Sequence, residues 1–216
     1  MLVAAAAVAG CGPTMNIGAR FPSSRLVAMP AIGATFAFGL DGEFTPRNAL
    51  GAQAAQSMDD SINYRLRAHG ARAFTWDVIE KLPNARDFVE WSARSMQEIM
   101  LEYLGKSNYT HGNVSEFRYP QDLGTWRRSL AGDYLLIAYF INGYDTPERA
   151  GSWTTSERAA RRALACVVDL SDGRMAWCRF TDAQTDNMAS RDDAQEVVDR
   201  LLDKMLTRSD RIAPRP

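Results

Sequence analysis

The sequence is poor in the side chains that most often perform catalysis or bind metal ions. Its 216 residues include only two histidines and three cysteines. The histidines, His69 and His111, lie far apart in the sequence, and each is typical of a surface position. Phosphate-binding, dinucleotide-binding, zinc-protease and serine-hydrolase motifs are all missing, and so is any Cys-x-x-Cys pair. The sequence therefore predicts a protein that is not an enzyme and that has no cofactor and no metal ion.

An excess of charge of one sign is missing as well. The net charge is −1, and acidic and basic residues are interspersed along the chain, so no nucleic-acid partner is expected. No apolar run reaches the roughly 18 residues that a membrane-spanning helix needs. The hydrophobic content of 46% is enough for the core of one domain.

The first eleven residues differ from the rest of the chain. Residues 2–9 are apolar throughout, which is typical of the core of a signal peptide, and the run ends in the sequence Val-Ala-Gly-Cys at Cys11. This ending resembles the lipobox of bacterial lipoproteins, in which the cysteine is lipidated and becomes the first residue. No Lys or Arg precedes the run, so an alanine-rich terminus without a role in export is the alternative.

The lipobox resemblance implies a division of the chain and a location. Residues 1–10 would be a signal peptide and residues 11–24 a tether that lifts the domain off the bilayer. Residues 25–209 would form a periplasmic domain, followed by a tail over residues 210–216. Gly12 follows the cysteine, where lipoproteins of the inner membrane usually carry Asp, so the resemblance implies a lipid anchor in the outer membrane.

The other two cysteines, Cys166 and Cys178, lie in two β-type runs that flank the turn sequence Ser-Asp-Gly at residues 171–173. A three-residue turn with its glycine in the left-handed conformation places Cys166 directly opposite Cys178 and Val168 opposite Ala176. The alternation of apolar and polar side chains favours this register over that of a two-residue turn. The pair either forms a disulfide, as an oxidising compartment allows, or remains as two buried thiols.

Hydrophobic periodicity predicts the remaining elements. The predicted order is strand 25–30, a partly extended loop over 31–44, a helix from residues 45–46 to before Gly70, a short strand or turn-strand 71–78, helix 84–105, a short helix 122–130, a buried strand 134–141, the cysteine hairpin, and an amphipathic helix from Ser190. This order indicates the α/β class, with a mixed β-sheet packed against helices and a C-terminal β-hairpin followed by an amphipathic helix.

Three segments resemble a known fold. The Gly-Asp-Tyr start of the buried strand at residues 132–134, the hairpin with Asp169, Gly173 and Trp177, and the terminal helix are similar to the TolB N-terminal-type fold. This fold recurs in the periplasmic domains of curli-secretion-like (CsgG-like) lipoproteins, and the resemblance spans most of residues 25–207.

The resemblance implies a non-enzymatic scaffold or assembly component of a secretion, polysaccharide-export, flagellar or wall-synthesis machine. It also implies protein partners in the envelope and a possible homo-oligomer such as a ring. A pore is not expected, because the chain lacks paired segments of about ten residues of alternating hydrophobicity. The alternative is an envelope hydrolase or a small-ligand-binding protein with an unrecognised site.

The polar loop predicted over residues 106–119 is the segment most typical of an interaction surface. It is long for a compact domain, and it places Tyr109, His111, Phe117 and Tyr119 among polar residues. These side chains either contact a partner or hold the loop against its own domain.

Overall fold

The computed structural model describes residues 21–39, 43–105, 114–145, 161–182, 188–203 and 205. The predicted signal peptide, Cys11 and the tail over residues 210–216 lie outside these ranges. In the described residues a mixed β-sheet is packed between two layers of helices, and a C-terminal hairpin is followed by a helix, which confirms the predicted fold class.

The described part of the chain contains seven strands and five α-helices. The strands are β1 (Leu26–Ala28), β2 (Ile32–Phe38), β3 (Phe44–Pro46), β4 (Arg72–Ala73), β5 (Tyr134–Asp145), β6 (Arg161–Asp169) and β7 (Met175–Asp182). The helices are α1 (Asn48–Arg67), α2 (Trp76–Ile79), α3 (Ala85–Gly105), α4 (Gly124–Leu130) and α5 (Arg191–Leu202).

The sheet is built around β5, which is longer than the predicted strand over 134–141. One edge of β5 pairs in parallel with β1 and then with β2, and its other edge pairs antiparallel with β6. The predicted loop over residues 31–44 is therefore wrong, because β2 and β3 occupy most of it. Pro30 has no N–H to donate to the sheet, and the chain breaks between β1 and β2 at this proline.

Helices α1 and α5 cover one face of the sheet. Their buried side chains recur every three or four positions, as the sequence predicted. These side chains are Ala54, Met58, Ile62 and Leu66 of α1, and Ala194, Val197, Val198, Leu201 and Leu202 of α5. Each large aliphatic side chain among them contributes about 1.5–3 kcal/mol on burial, so the two stripes hold these helices on the sheet.

Helices α2, α3 and α4 cover the opposite face. Phe88 and Met96 of α3 and Trp126 of α4 are buried against side chains of β5 and β6. The indole N–H of Trp126 donates a hydrogen bond of 2.9 Å to the carbonyl of Pro83, just before α3. This bond and the shared core fix α4 against α3.

Two predicted boundaries are wrong because short strands replace parts of other elements. Pro46 pairs with Phe36 at the end of β3, so α1 begins at Asn48 rather than at residues 45–46. The predicted strand over 71–78 is reduced to the two residues of β4, because Thr75 is already the residue that precedes α2. β3 pairs with the preceding strand β2, and β4 pairs with β1, so both strands are too short to leave a periodic pattern of their own and are stabilised by pairing with a neighbour.

The predicted hairpin register is confirmed at the cysteines and is wrong near the turn. Cys166 lies opposite Cys178, but a β-bulge pairs Val168 with Met175 instead of Ala176. Met175 is therefore buried in the core and Ala176 is exposed. Because both residues are apolar, side-chain alternation does not reveal a shift of one position.

The described end of the predicted tether, from Phe21, packs onto the domain. Phe21 is only 6% exposed, and its ring packs 5.0 Å from the ring of Tyr134 and 6.5 Å from that of Trp177. Its N–H also donates to the carbonyl of Met205, beyond α5. Phe21 thus belongs to the folded domain and not to a tether that ends at residue 24.

Replacing Ala131 with glycine is expected to raise the free energy of unfolding by about 0.5–1 kcal/mol. Ala131 follows α4 in the left-handed conformation, with φ +46° and ψ +48°, where an L side chain is strained and glycine is not. The matched control is Ala93→Gly inside α3, which is expected to lower stability by about 1 kcal/mol. Urea unfolding of both variants measures the effects, and a loss of stability in Ala131→Gly would contradict the prediction.

Candidate functional site

Residues 114–119, the part of the predicted interaction loop that the structure describes, pack onto their own domain. Tyr109 and His111 lie outside the described residues. Phe117 is half-buried and Tyr119 is only 3% exposed, and both belong to the core beneath α3. Of the two alternatives for this loop, the burial of Tyr119 fits a loop held against its own domain, and Phe117 is partly accessible.

Tyr119 is part of an aromatic cluster that sequence reasoning did not identify. The ring of Phe88 lies 5.1 Å from that of Tyr119, 5.5 Å from that of Trp91 and 4.5 Å from that of Trp126. The Tyr119 N–H also donates to the carbonyl of Gly173, at 2.9 Å, in the hairpin turn. The cluster joins α3, α4 and the hairpin, so these aromatic side chains stabilise the domain.

The residues that carry the fold resemblance in the hairpin also stabilise the structure. The Asp169 carboxylate accepts hydrogen bonds from the N–H and the hydroxyl of Ser171, at 2.8 and 2.6 Å. Gly173 has φ +75°, and a Cβ there would lie 2.9 Å from the carbonyl oxygen of Tyr119. Trp177 is buried on the face covered by α1 and α5. This motif forms the turn and part of the core, and no surface site.

A disulfide joins Cys166 to Cys178 across β6 and β7. The two residues are 0% and 4% exposed, and they lie in the core on the α3 side of the sheet. The bridge ties the edge strand β7 to the sheet at a position that solvent does not reach.

Two buried polar side chains interrupt the apolar layer beneath α1. Thr35 of β2 and Asn142 of β5 are register partners, and they are 4% and 0% exposed. The side-chain amide of Asn142 donates to the hydroxyl of Tyr144 at 3.0 Å, but its carbonyl oxygen and the Thr35 hydroxyl have no hydrogen-bond partner in the structure. Leaving such buried polar atoms unpaired costs free energy, so this pair lowers the stability of the core, unlike the apolar side chains around it.

An arginine-rich cleft of about 390 Å³ lies where β1 and β5 begin, beside α4. Its lining consists of Arg25, Gly124, Arg127, Arg128, Ala131, Gly132 and Asp133. Three guanidinium groups and one carboxylate give this lining a net charge of about +2 at neutral pH. In this cleft an open volume and converging charged groups occur together, which makes it the candidate site among the described residues. We name it the arginine cleft.

Asp133 holds two of the arginines side by side. The Nε of Arg127 donates to Asp133 Oδ1 at 2.6 Å, and the Nε of Arg25 forms an ion pair with Oδ2. The Asp133 side chain is 15% exposed, whereas those of Arg25 and Arg127 are 54% and 45% exposed. The third arginine, Arg128, donates to the hydroxyl of Thr125 at 3.0 Å. The carboxylate is thus largely covered, and the guanidinium groups face solvent.

The backbone positions Asp133 at the base of the arginine cleft. Its N–H donates to the carbonyl of Arg25, and its carbonyl accepts from the N–H of Leu170, both at 2.8 Å. A Cβ at Gly132 would lie 2.8 Å from Val27 Cγ1, so this close approach of α4 to β1 requires glycine. Sequence reasoning missed the cleft because its residues come from two segments more than a hundred positions apart.

The described residues contain no group of three or more His, Cys, Asp and Glu side chains that could hold a metal ion. Within the same ranges, none of the helices combines the length and hydrophobicity required to cross a membrane.

Stability is expected to fall as the pH rises through the titration of Asp59. Burial raises the pKa of this carboxyl from 3.8 to about 6, against the opposing hydrogen bond of 2.6 Å from the Ala31 N–H. The folded protein therefore binds more protons than the unfolded chain between about pH 4 and pH 6, and this contribution to stability is lost as the carboxyl ionises.

Asp59→Asn is expected to raise the free energy of unfolding at about pH 7.5 by about 1–2 kcal/mol and to flatten the pH dependence, because the amide can still accept from Ala31. Urea unfolding at about pH 5 and pH 7.5 measures both effects. Asp60→Asn, at the exposed neighbouring position, is the control: it removes only the smaller repulsion that raises the pKa of Asp59 and should leave most of the pH dependence in place. A destabilised Asp59→Asn protein at pH 7.5 would refute this account.

Comparison with known proteins finds distant structural similarities. No protein-family model matches the sequence, and no curated protein matches it. The PelC dodecamer from Paraburkholderia phytofirmans is similar at 14% identity and a TM-score of 0.34, over 87% of this chain and 92% of that chain. Lipoprotein GNA1162 from Neisseria meningitidis is similar at 13% identity and a TM-score of 0.32, over 72% and 78% of the two chains.

A third similarity is to the LpoB C-terminal domain from Salmonella enterica, at 10% identity and a TM-score of 0.30, over 75% of this chain and 84% of that chain. Similarities at this level do not transfer a function to this chain.

Proposed function

We propose that this protein is a bacterial envelope lipoprotein whose periplasmic α/β domain acts as a non-enzymatic scaffold or assembly component. Its lipid is attached at Cys11 and lies in the outer membrane. Phe21 is buried in the core, so a tether after the lipidated cysteine would end before this residue. The machine that it serves is one of secretion, polysaccharide export, flagellar assembly or wall synthesis, as the TolB N-terminal-like resemblance implies.

The pairing of the cysteines carries this proposal. Cys166 and Cys178 are bonded to each other, and Cys11 is the remaining cysteine of the three in the sequence. That cysteine stands at the end of Val-Ala-Gly-Cys, where lipoprotein processing would acylate it. A buried disulfide and a lipobox both fit an exported protein, since disulfides persist in oxidising compartments. The two features are independent, and they point to the same location.

The side chains described above stabilise the fold of the domain, and this favours a scaffold role. The motif residues Asp169, Gly173 and Trp177 form a turn and part of the core, and the aromatic side chains near the hairpin join helices. The hydroxyls of Ser171 and Thr75 donate to the carboxylates of Asp169 and Asp77, within the hairpin turn and at the start of α2, where these bonds hold local backbone structure. Protein partners, including further copies of the chain, would then meet the surface of a rigid domain.

The test is the intact mass of the native protein extracted with detergent from bacterial membranes, measured with and without reductant. We expect a chain that begins at Cys11, carries acyl groups and is two hydrogens lighter without reductant. Density-gradient separation of the two membranes should place it in the outer membrane. Crosslinking from the periplasmic side then identifies its partners.

Cys11→Ser is the matched control. This variant should lose the acyl mass and the membrane association but keep the mass difference that reports the Cys166–Cys178 bridge. A chain that retains Met1, stays in the soluble fraction and has free thiols would refute the lipoprotein proposal and the envelope location together.

A further inference from the structure

We propose that the arginine cleft binds a phosphate monoester. This site goes beyond the scaffold role, and it does not depend on the lipid anchor. The inference rests on the open volume of about 390 Å³, on the three arginines that line it and on the way in which Asp133 orients two of them.

The guanidinium groups keep donors available for a ligand. A guanidinium has five N–H donors, and Asp133 contacts Arg25 and Arg127 through their Nε atoms. The terminal nitrogens of these two side chains make no hydrogen bond within the described residues. Arg128 uses one terminal nitrogen on the hydroxyl of Thr125 and keeps the rest of its donors. Planar guanidinium groups with free terminal donors match the oxygens of a phosphate.

The charge of the cleft favours a dianion over a carboxylate. Its net charge of about +2 balances a phosphate monoester, which carries about −1.5 to −2 near pH 7. Arg72 adds positive charge behind the cleft, where its guanidinium donates to the carbonyls of Leu130 and Ala131 at 3.0 and 2.8 Å. Asp122 lies at the rim, and one of its carboxylate oxygens is bound by the N–H of Gly124.

The cleft is pre-organised for this ligand. Because Asp133 is held by two backbone hydrogen bonds and is only 15% exposed, it fixes the positions of two arginines before any ligand arrives. Less side-chain freedom is then lost on binding, which strengthens the complex. A phosphate monoester can belong to a soluble metabolite or to a lipid headgroup, and both sources present the same three oxygens to the cleft.

The test uses the full chain with Cys11→Ser in every arm, so that no acyl group contributes to binding. Inorganic phosphate is titrated and the backbone amide signals of Gly132 and Asp133 are followed by NMR. We expect saturable shifts at these residues, and a Kd about tenfold weaker in Arg128→Gln, because that variant loses one charge-assisted contact. Arg86→Gln, in which an exposed arginine on α3 is lost, should change the Kd less than about twofold.

Arg128→Lys provides a second variant that retains the charge, and it should fall between the wild type and Arg128→Gln. Flotation with phosphatidylcholine vesicles, with and without phosphatidic acid, separates the two sources. Flotation only with phosphatidic acid, lost in Arg128→Gln, assigns a lipid headgroup, and phosphate binding without flotation assigns a soluble ester. Absence of saturable binding to both probes, or equal losses in Arg128→Gln and Arg86→Gln, would overturn the proposal.

Discussion

Replacing Trp126 with alanine is expected to lower the free energy of unfolding by about 3–5 kcal/mol. Trp126 is 1% exposed, its ring lies 4.5 Å from that of Phe88, and its indole N–H donates to the Pro83 carbonyl. The substitution leaves a cavity between α3 and α4 and removes the hydrogen-bond donor of a part-buried carbonyl, and both effects reduce stability.

Urea unfolding followed by far-ultraviolet circular dichroism measures this loss. Trp126→Phe separates its two causes, because it retains a ring against Phe88 but removes the donor, and it should cost about 1–2 kcal/mol. Trp91→Ala is the positional control, since Trp91 is a half-buried member of the same aromatic cluster and should cost less than Trp126→Ala. A loss below about 1 kcal/mol in Trp126→Ala would show that the cluster does not hold α4 in place.

The second large effect is expected when the disulfide is removed. The bridge joins residues 12 positions apart, and closing a loop of this size in the unfolded chain is worth about 3 kcal/mol. The double variant Cys166→Ala, Cys178→Ala should therefore lose about 2–4 kcal/mol, including the packing of the two sulfur atoms.

Dithiothreitol separates the crosslink from the packing. Reductant should lower the urea midpoint of the wild-type protein and should leave that of the double variant unchanged. Because Cys166 and Cys178 are 0% and 4% exposed, the folded protein should resist reduction until it unfolds. Rapid reduction of the native protein, or an unchanged midpoint after reduction, would contradict this expectation.

The elements that could be predicted are those whose pattern is local. The stripes of α1 and α5 repeat every three or four residues, and the long apolar run of β5 marks a strand buried on both faces. The cysteine register was predicted from the turn at Gly173, but in the structure it also depends on the β-bulge between Val167 and Val168, which returns Cys166 to its place opposite Cys178.

The missed elements depend on contacts between distant segments. The sequence of β2 is rich in glycine and alanine, which favour strands weakly, and it becomes a strand because β5 pairs along its whole length. A Cβ at Gly33 would lie 2.4 Å from the ring of Phe140, so the glycine that weakens the local signal is required by the packing of its partner strand. No pattern within residues 31–44 contains this information.

The arginine cleft could not be predicted from the sequence for the same reason. Arg25 precedes β1, whereas Arg127, Arg128 and Asp133 lie close together before β5, and the parallel pairing of β1 with β5 brings these two segments together. For the aromatic residues Phe117 and Tyr119, the sequence left two alternatives open. Their sequence context is equally typical of an interface and of a loop held against its own core, and only their burial distinguishes the two.

The parallel pairing of β1 with β5 also determines when the chain can fold. Leu26 pairs with Tyr134, more than a hundred residues later, so the first strand has no neighbour in β5 until most of the chain has been synthesised. Contacts between such distant segments form slowly, because the entropy of closing a long loop is lost before the pairing is gained. In a polypeptide made from its N-terminus, β1 can pair with β4, through Val27 and Arg72, well before β5 exists. The pairing with β5 therefore adds a second neighbour to β1 late in synthesis, and refolding of the full chain should be limited by this long-range contact rather than by the pairing of β1 with β4.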